Sequence, residues 1–342
     1  MSKKGIFWFL VIATVLVVAG IWLFDVGKQH LAGTMSHQMG TEKKSYTIGV
    51  VYSGGAYQQA LDGLQSELAK KGFTEGKNVT FVIKNTVGNT QFDEAVVKEI
   101  LSKNPTLIYT VSTPITSQVQ KFSPESMPIV FNIVGDPVGG GFVKNYSAPE
   151  TNLTGCSNLS AELSGKRLGI FKKAFPNIQS VVTFYDPSNK FSVISIENTR
   201  KTAEALKVKL TEIKVKDKDE LSKALDALKP GEFNGIYITP DAMVVSNADL
   251  VVKKATELKI PTMGHEETLA DKGVSLTYGA NFYRLGVQCA SVVTDILGGK
   301  KPQNEPVRTP EKLDITINAK NLDAIKANIS PEVQNMADKV IR

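Results

Sequence analysis

Two kinds of segment alternate along residues 46–135 of the chain. Short apolar runs rich in β-branched residues are each followed by an amphipathic stretch with helical spacing. The apolar runs occupy residues 47–53, 79–85, 107–113 and 128–135. Their apolar residues are nearly continuous, which is typical of parallel strands that are buried on both faces. The pattern therefore predicts a parallel sheet with helices on both sides.

A second series of the same kind begins near residue 159. Its predicted strands are residues 180–186, 209–215, 235–241 and 260–265. One segment of each series has the same pattern. LIYTVSTPI (107–115) and GIYITPDAM (235–243) both end an apolar strand in small polar residues and a proline. Two doubly wound units in tandem predict two α/β lobes. Ligands of such sheets bind beyond the carboxyl ends of the strands, so residues 107–115 and 235–243 are expected to form opposing walls of a cleft.

An unbroken apolar run at residues 6–24 precedes the folded part and follows Lys3 and Lys4. At about 1.5 Å per residue the run approaches the ~30 Å of bilayer hydrocarbon, whereas a cleavable signal has an apolar region of about 7–15 residues. We therefore predict a transmembrane signal-anchor helix, with cleavage of a signal peptide near Ala32 as the alternative. Residues 26–45 are expected to form a flexible tether.

The orientation of this helix follows from its flanking charge. Positive residues before the helix favour a cytoplasmic N-terminus, so the remainder of the chain is expected outside the cytoplasm, anchored to the cytoplasmic membrane. The predicted location is therefore periplasmic or at the cell surface.

Composition limits the classes of function. The chain has 342 residues with 42% apolar content, enough for two domains with their own cores. The net charge of +6 is dispersed, which favours a solvated surface over a nucleic-acid partner. His265 is the only histidine in the folded part, so no metal site or catalytic triad is expected. Cys156 and Cys289 fit either two small buried side chains or a disulfide.

The sequence contains none of the common catalytic motifs. It lacks GxSxG, HExxH, GxxxxGK[ST], and a GxGxxG that follows a strand. The glycine-rich segment 135–143 could cradle a phosphate, or its glycines could simply allow a sharp turn after a strand. We therefore predict neither an enzyme nor a cofactor.

Several polar residues lie at predicted strand ends and are candidates for ligand contacts. Asp136 and Asp241 close strands of different series, so their carboxylates could grip an ammonium group from both sides, or each could cap the helix that follows. Ser112 and Thr113 could likewise cap a helix or donate hydrogen bonds to a ligand carboxylate. Three tyrosines could form aromatic walls or pack in the core: Tyr57, Tyr185 and Tyr278.

Five segments together carry a resemblance to a known family. They are STP (112–114), residues 128–143 with GDPVGGG, NLTGCS (152–157), residues 259–279 and residues 281–302. From about residue 46 to its C-terminus the chain resembles the bacterial ABC-transporter substrate-binding proteins, which include tryptophan- and tyrosine-type binders. The resemblance implies a type I periplasmic-binding-protein fold. Its lobes would be residues 46–158 plus 279–308 and residues 159–278 plus 309–342, with crossings near Leu159, Gly279 and Thr309.

The resemblance also implies where the ligand is held. It places Ser112, Thr113, Asp136 and Pro137 on the wall of the first lobe, and Asp241 and Glu266 on the wall of the second. The chain departs from the family at TPDA (239–242), where TDN is frequent, and at its first loop SGGAY (53–57), where Ser53 is the candidate. An amino acid or a related compound is one option for the ligand.

The implied function is solute binding for an ABC importer. The extracytoplasmic lobes would capture a small molecule and present it to an ABC permease. The alternative is a membrane-tethered ligand-sensing domain without a role in transport.

Overall fold

The computed structural model of the protein describes residues 44–89 and 91–342. The transmembrane helix predicted at residues 6–24, and nearly all of the predicted tether, lie outside the described residues. Among the described residues, no helix combines the length and apolar character that a membrane span requires. Residues Tyr46–Arg342 form one compact unit.

The first sheet has five parallel strands in the order β2-β1-β3-β4-β5. The strands are β1 (Tyr46–Tyr52), β2 (Val79–Asn85), β3 (Leu107–Val111), β4 (Ile129–Val134) and β5 (Leu153–Ser157). A short 3-10 helix, Gly55–Tyr57, follows β1. The helices of this part are α1 (Gln58–Lys70), α2 (Glu94–Leu101) and α3 (Thr113–Phe122).

The second sheet has seven strands in the order β12-β11-β10-β9-β8-β6-β7. The strands are β6 (Ser180–Tyr185), β7 (Lys209–Lys214), β8 (Gly235–Tyr237), β9 (Thr262–Gly264), β10 (Leu276–Ala280), β11 (Leu313–Asn318) and β12 (Lys339–Ile341). The helices that follow β5 along the chain are α4 (Ser164–Ala174), α5 (Lys190–Leu206), α6 (Lys218–Ala227), α7 (Ala242–Ser246), α8 (Ala248–Leu258), α9 (Glu267–Asp271), α10 (Phe282–Leu297), α11 (Ala319–Ile325) and α12 (Pro331–Asn335). Every pairing is parallel except that of β10 with β11.

The chain passes between the two sheets three times. It leaves the first sheet after β5 and enters the second through α4. It returns to the first sheet after β10, as the packing of α10 against α1, β4 and β5 shows. It then crosses again to place β11 beside β10 in the second sheet. The predicted α/β architecture with parallel sheets is confirmed.

Each sheet is buried on both faces. In β1, Ile48 and Val50 pack with α1 and α10 on one face, while Val51 packs with α2 and α3 on the other. In β6, Val181 packs into an apolar cluster on one face of the second sheet, and Val182 packs into another cluster on the opposite face. This double burial is why the strands read as continuous apolar runs in the sequence.

Two glycines set the distance between α1 and α10. A methyl group added to Gly63 would lie well inside 3.0 Å of the Tyr283 carbonyl oxygen, and one added to Gly286 equally close to the Ala60 carbonyl oxygen. The two helix backbones are therefore in direct contact, a packing that only glycine permits at both positions. The contact also fixes Phe282, the first residue of α10.

The two cysteines meet in the core of the first sheet. Cys156 on β5 and Cys289 on α10 are free thiols, and both are fully buried. Burial raises the pKa of the Cys289 thiol, and its hydrogen bond with the Cys156 thiol raises that pKa further. Of the two interpretations that the sequence allowed, the structure has the buried free thiols.

Candidate functional site

The carboxyl ends of strands from both sheets face one cleft. It has a volume of about 510 Å³, and hydroxyl and amide side chains are the largest group in its lining. Its lining residues come from the first sheet and from the second: Tyr57, Gln91, Ser112, Thr113, Pro114, Ser117, Gln118, Ile133, Gly135, Asn158, Ser160, Ala161, Ser188, Asn189, Lys190, Phe191, Ser195, Pro240, Asp241, Ala242, Val245, His265 and Glu266. Such a cleft lies where open parallel sheets bind their ligands.

Ser112 occupies the most strained position in the wall of the first lobe. It precedes α3 with φ 90° and ψ 153°, a region that only glycine adopts readily and that costs about 1–3 kcal/mol. Its side chain does not cap α3, and its buried hydroxyl has no hydrogen-bond partner among the described residues. Strain and an unsatisfied buried hydroxyl thus coincide at one residue of the cleft lining.

Thr113 and Gly135 join the ends of β3 and β4. The Gly135 backbone N–H donates to the Thr113 hydroxyl over 3.2 Å. Near the end of β4, a β-bulge at Ile133, which has φ 56°, shifts the pairing of β4 with β5. The bulge changes which residues of β4 lie on each face of the sheet, and Ile133 and Gly135 are the residues of this segment that line the cleft.

Asp136 lies just past this bulge and is not among the residues that line the cleft. Its Oδ1 accepts a hydrogen bond from the Gly139 backbone N–H over 2.7 Å, which stabilises the glycine-rich turn after β4. The adjacent Pro137 is outside the lining as well. The glycines of this segment thus form a turn.

Asp241 lines the cleft, but its carboxylate is fully engaged within the protein. Oδ1 accepts from the backbone N–H groups of Met243 and Val244, each over 3.0 Å, and so caps α7. Oδ2 accepts from the Asp186 backbone N–H over 3.0 Å and from the Ser192 hydroxyl over 2.6 Å. A carboxylate with four donors joins the loops after β6 and β8 and has little capacity left for a ligand ammonium.

Glu266 is the buried carboxylate of the cleft that keeps free capacity. It is 5% exposed, its Oε1 accepts from the Thr268 hydroxyl over 2.7 Å, and its Oε2 lies 3.4 Å from Nε2 of His265. Burial raises its pKa, but the hydrogen bond and charge of His265, the Thr268 hydroxyl and the charge of Lys272 together outweigh burial, and the pKa lies below its ordinary value. Glu266 is therefore an anion at neutral pH.

Tyr57 contributes an aromatic wall from the first lobe. Its ring stacks on Phe282, with centroids 5.6 Å apart and an interplanar angle of 12°. Burial and then the negative charge of Glu266 raise the pKa of the Tyr57 phenol, which therefore stays protonated. The loop after the first strand thus presents a neutral phenol towards the anion of Glu266.

The structure brings half of the candidate residues into the cleft. The residues in the lining are Tyr57, Ser112, Thr113, Asp241 and Glu266, whereas Ser53, Asp136, Pro137, Tyr185 and Tyr278 lie outside it. Tyr185 and Tyr278 are buried in the second lobe, where Lys166 stands 5.2 Å from the Tyr278 ring centroid. The Ser53 carbonyl accepts from the Gly88 backbone N–H over 2.8 Å.

Several lining residues escaped the sequence analysis. Asn158 and Ser160 follow β5, a strand that was not recognised, so the rule that sites lie at carboxyl ends was not applied there. Ser195 lies on α5, where helical spacing gave no signal of a site. His265 ends a predicted strand but was considered only for catalysis and metal binding. Among the described residues, no group of three His, Cys, Asp or Glu side chains is placed to hold a metal.

Comparison with known proteins identifies relatives across the folded part. A family model for ABC transporter substrate binding proteins matches residues 46–341. A tyrosine-binding protein of Clostridioides difficile (strain R20291) is 27% identical over 286 residues, which are 83% of this chain and 81% of the relative.

Solved structures share the fold. A conserved domain protein from Vibrio cholerae superimposes with a TM-score of 0.79 at 27% identity, covering 87% of this chain and 100% of the other. The ABC domain from Streptococcus pneumonia in complex with L-Trp gives 0.78 at 21% identity, with 87% and 100% covered. A ligand-free, open substrate binding protein with adhesive properties from Clostridium difficile gives 0.69 at 26% identity, with 86% and 99% covered.

Proposed function

The chain belongs to the ABC transporter substrate-binding protein family, and from this premise we propose that its cleft captures an amino acid and presents it to the permease of an ABC importer. No chemical step on the ligand is part of the proposal. The two walls close over the ligand and release it at the membrane.

One observation carries the proposal. Three residues that line the cleft each have a buried polar side-chain atom without a hydrogen-bond partner among the described residues: the hydroxyl oxygens of Ser112 and Ser195 and Nδ1 of His265. They come from both walls of the cleft. Buried polar groups in native proteins are nearly always paired, so unpaired groups that converge on one cleft are the partners of a bound molecule. The volume of about 510 Å³ suits a small ligand.

The charges of the cleft favour a zwitterion. Glu266 is a buried anion that can accept from a ligand ammonium. Ser112 offers a free hydroxyl at the start of α3, where the uncapped backbone N–H groups favour a carboxylate. Tyr57 and Phe191 supply aromatic surface. The tyrosine-binding and L-Trp-bound relatives support an amino acid as cargo.

The two lobes are proposed to move as rigid bodies. One comprises residues 46–158 plus 279–308, and the other residues 159–278 plus 309–342. The three passages of the chain between the sheets would be the hinge, since closure of such lobes needs only a few residues to change their backbone angles.

We further propose that the apolar segment at residues 6–24 anchors the protein to the cytoplasmic membrane, with the lobes on the extracytoplasmic side. The length of the run and the lysines before it support this arrangement. An anchored binding protein stays close to its permease.

A thermal-shift screen tests the proposed function. The full chain, purified in detergent, is melted with each of the twenty amino acids and, for comparison, with sugars and nucleosides. A ligand that binds only the native state raises the melting temperature, by an amount equivalent to about 2.7 kcal/mol at a concentration 100 times Kd. We expect an amino acid to do so. A shift with sugars or nucleosides alone would refute the amino-acid cargo.

Two substitutions at Ser112 separate strain from ligand contact. Ser112→Gly relieves the strain of about 1–3 kcal/mol but loses the hydroxyl, so we expect a higher melting temperature without ligand and binding weakened about three- to tenfold. Ser112→Ala keeps the strain and loses the same hydroxyl, so it should weaken binding equally without the stabilisation. Thermal melts and calorimetric titrations measure both effects. Unchanged binding in both variants would exclude Ser112 from the site.

A further inference from the structure

Arg167, on the first turns of α4, is fully buried and has no carboxylate partner. It is 0% exposed, and no Asp or Glu oxygen of the described residues lies within 4.0 Å of it. An arginine stays charged at every accessible pH. A buried charge without a counter-ion is costly and is normally paired. This guanidinium therefore has no carboxylate in direct contact to offset its charge.

The guanidinium is held only by neutral oxygens. Nε donates to the Tyr278 carbonyl oxygen over 2.9 Å, and Nη1 donates to the Ser160 carbonyl oxygen over 3.2 Å. Nη1 makes longer contacts of 3.4 Å to the hydroxyls of Ser164 and Tyr237. Nη2 has no hydrogen-bond partner among the described residues. These bonds fix its position but do not neutralise its charge.

Both strong bonds place Arg167 directly behind the cleft. Ser160 is itself a lining residue, so the guanidinium lies one residue behind that wall. On its other side, β10 pairs with β9 at Thr277 and Gly264, which brings Tyr278 beside His265 at the cleft. The positive end of α4 lies close by along the chain, because the helix begins at Ser164, shortly after the lining residue Ser160.

We infer that Arg167 makes the cleft selective for ligands that carry a carboxylate. The inference rests on the proposed binding of an amino acid. The charge acts through the low-dielectric wall without touching the ligand, and a carboxylate in the cleft supplies a negative charge that the immediate surroundings of Arg167 lack. Arg167 is thus a specificity-determining residue. Glu266, on the same side of the cleft, serves the ammonium of the same ligand.

Charge selectivity is measured by titrating the full chain in detergent with L-tyrosine and L-tryptophan and with their carboxamides, which lack only the negative charge. The ratio of amide Kd to acid Kd reports the preference for a carboxylate. We expect Arg167→Gln, which keeps hydrogen-bond donors but loses the charge, to reduce that ratio at least about tenfold. Arg167→Lys should retain most of the ratio.

Arg200→Gln is the matched control. Arg200 pairs with Glu212 at the exposed surface of the second lobe and does not line the cleft, so the same change of charge there should leave the ratio unaltered. A structural role of Arg167 would weaken acid and amide binding by the same factor. That result would overturn the inference and leave the amino-acid cargo standing.

Three further outcomes are decisive. Equal affinity of the wild type for acids and amides would refute the inference alone, whereas failure to bind any acid or amide would refute the proposed cargo and the inference with it. Should Arg167→Gln not fold, the ratio of the Ser112→Ala variant at about 50 and about 500 mM salt decides, because this variant lacks the hydroxyl at the start of α3 and salt screens exposed charges but not buried ones. We expect the ratio to persist. Its loss at high salt would assign the selectivity to the exposed Lys190 instead.

Discussion

Replacing Glu266 by glutamine should weaken amino-acid binding about ten- to hundredfold. The substitution keeps the shape of the side chain but removes the anion that we propose faces the ligand ammonium. A hydrogen bond to a charged group contributes about 1.5–3 kcal/mol, and each 1.4 kcal/mol is a factor of ten in Kd. Calorimetric titration of the variant with the amino acid selected by the thermal-shift screen measures the loss.

Glu267→Gln is the control for this prediction. The neighbouring carboxylate binds Lys339 and the Asn281 side-chain amide and does not line the cleft, so its replacement should change Kd less than about twofold. Glu266→Gln binding as tightly as the wild type would remove Glu266 from the site. A comparable loss in both variants would indicate a general field effect rather than a contact.

The pH dependence of binding follows from the same residue. The pKa of Glu266 lies below its ordinary value, so the contribution of its charge is complete above the ordinary pKa of about 4.3 and is lost as the pH falls through the lower folded-state pKa. The charge of Glu266 should therefore contribute no change in Kd between about pH 5 and 8. A break in Kd above about pH 5 that Glu266→Gln abolishes would contradict the lowered pKa.

Replacing Gly286 by alanine should destabilise the protein by about 3 kcal/mol. The added methyl would meet the Ala60 carbonyl oxygen, a backbone atom that cannot move aside as a flexible side chain would. Overpacking of a tight core typically costs about 1–3 kcal/mol, and separating α1 from α10 would disturb the whole contact. A loss of about 3 kcal/mol lowers the melting temperature by roughly 6–12 °C in a domain of this size.

Gly169→Ala is the matched comparison, since Gly169 is also helical but has no atom within 4 Å of an added methyl. Alanine there should stabilise α4 by about 0.5–1 kcal/mol. Thermal melts followed by circular dichroism compare the two variants. Equal melting temperatures for Gly286→Ala and the wild type would refute the close helix contact.

Much of the fold could be predicted from hydrophobic patterning because the central strands are buried on both faces. Residues 79–85 and 313–318 agree with β2 and β11 at both ends. β5 was missed because LTGCS contains few large apolar residues, and its Gly155, with φ 151°, approaches the Phe131 backbone closely. β12 was missed because three residues at a sheet edge carry no periodicity. β8 is shorter than predicted because the chain turns at Thr239 to let Asp241 cap α7.

The site was less predictable because the carboxyl-end rule gives the edge of a sheet but not the direction of each side chain. Ser112 and Glu266 follow regular strand ends, and the prediction that they lie at a cleft agrees with their place in its lining. Asp136 follows a bulged strand, and one extra residue in β4 turns its side chain away from the cleft. Arg167 lies behind the wall on a helix, where no sequence pattern marks it.

Amide hydrogen exchange tests most directly whether an amino acid is held between the two walls of the cleft. It is measured on the full chain with and without saturating L-tyrosine or L-tryptophan. The account predicts slower exchange at residues 112–118 of the first wall and at residues 264–268 of the second wall in the same sample, because the ligand bridges them. Protection of one wall alone, or of neither wall while calorimetry reports binding, would contradict it.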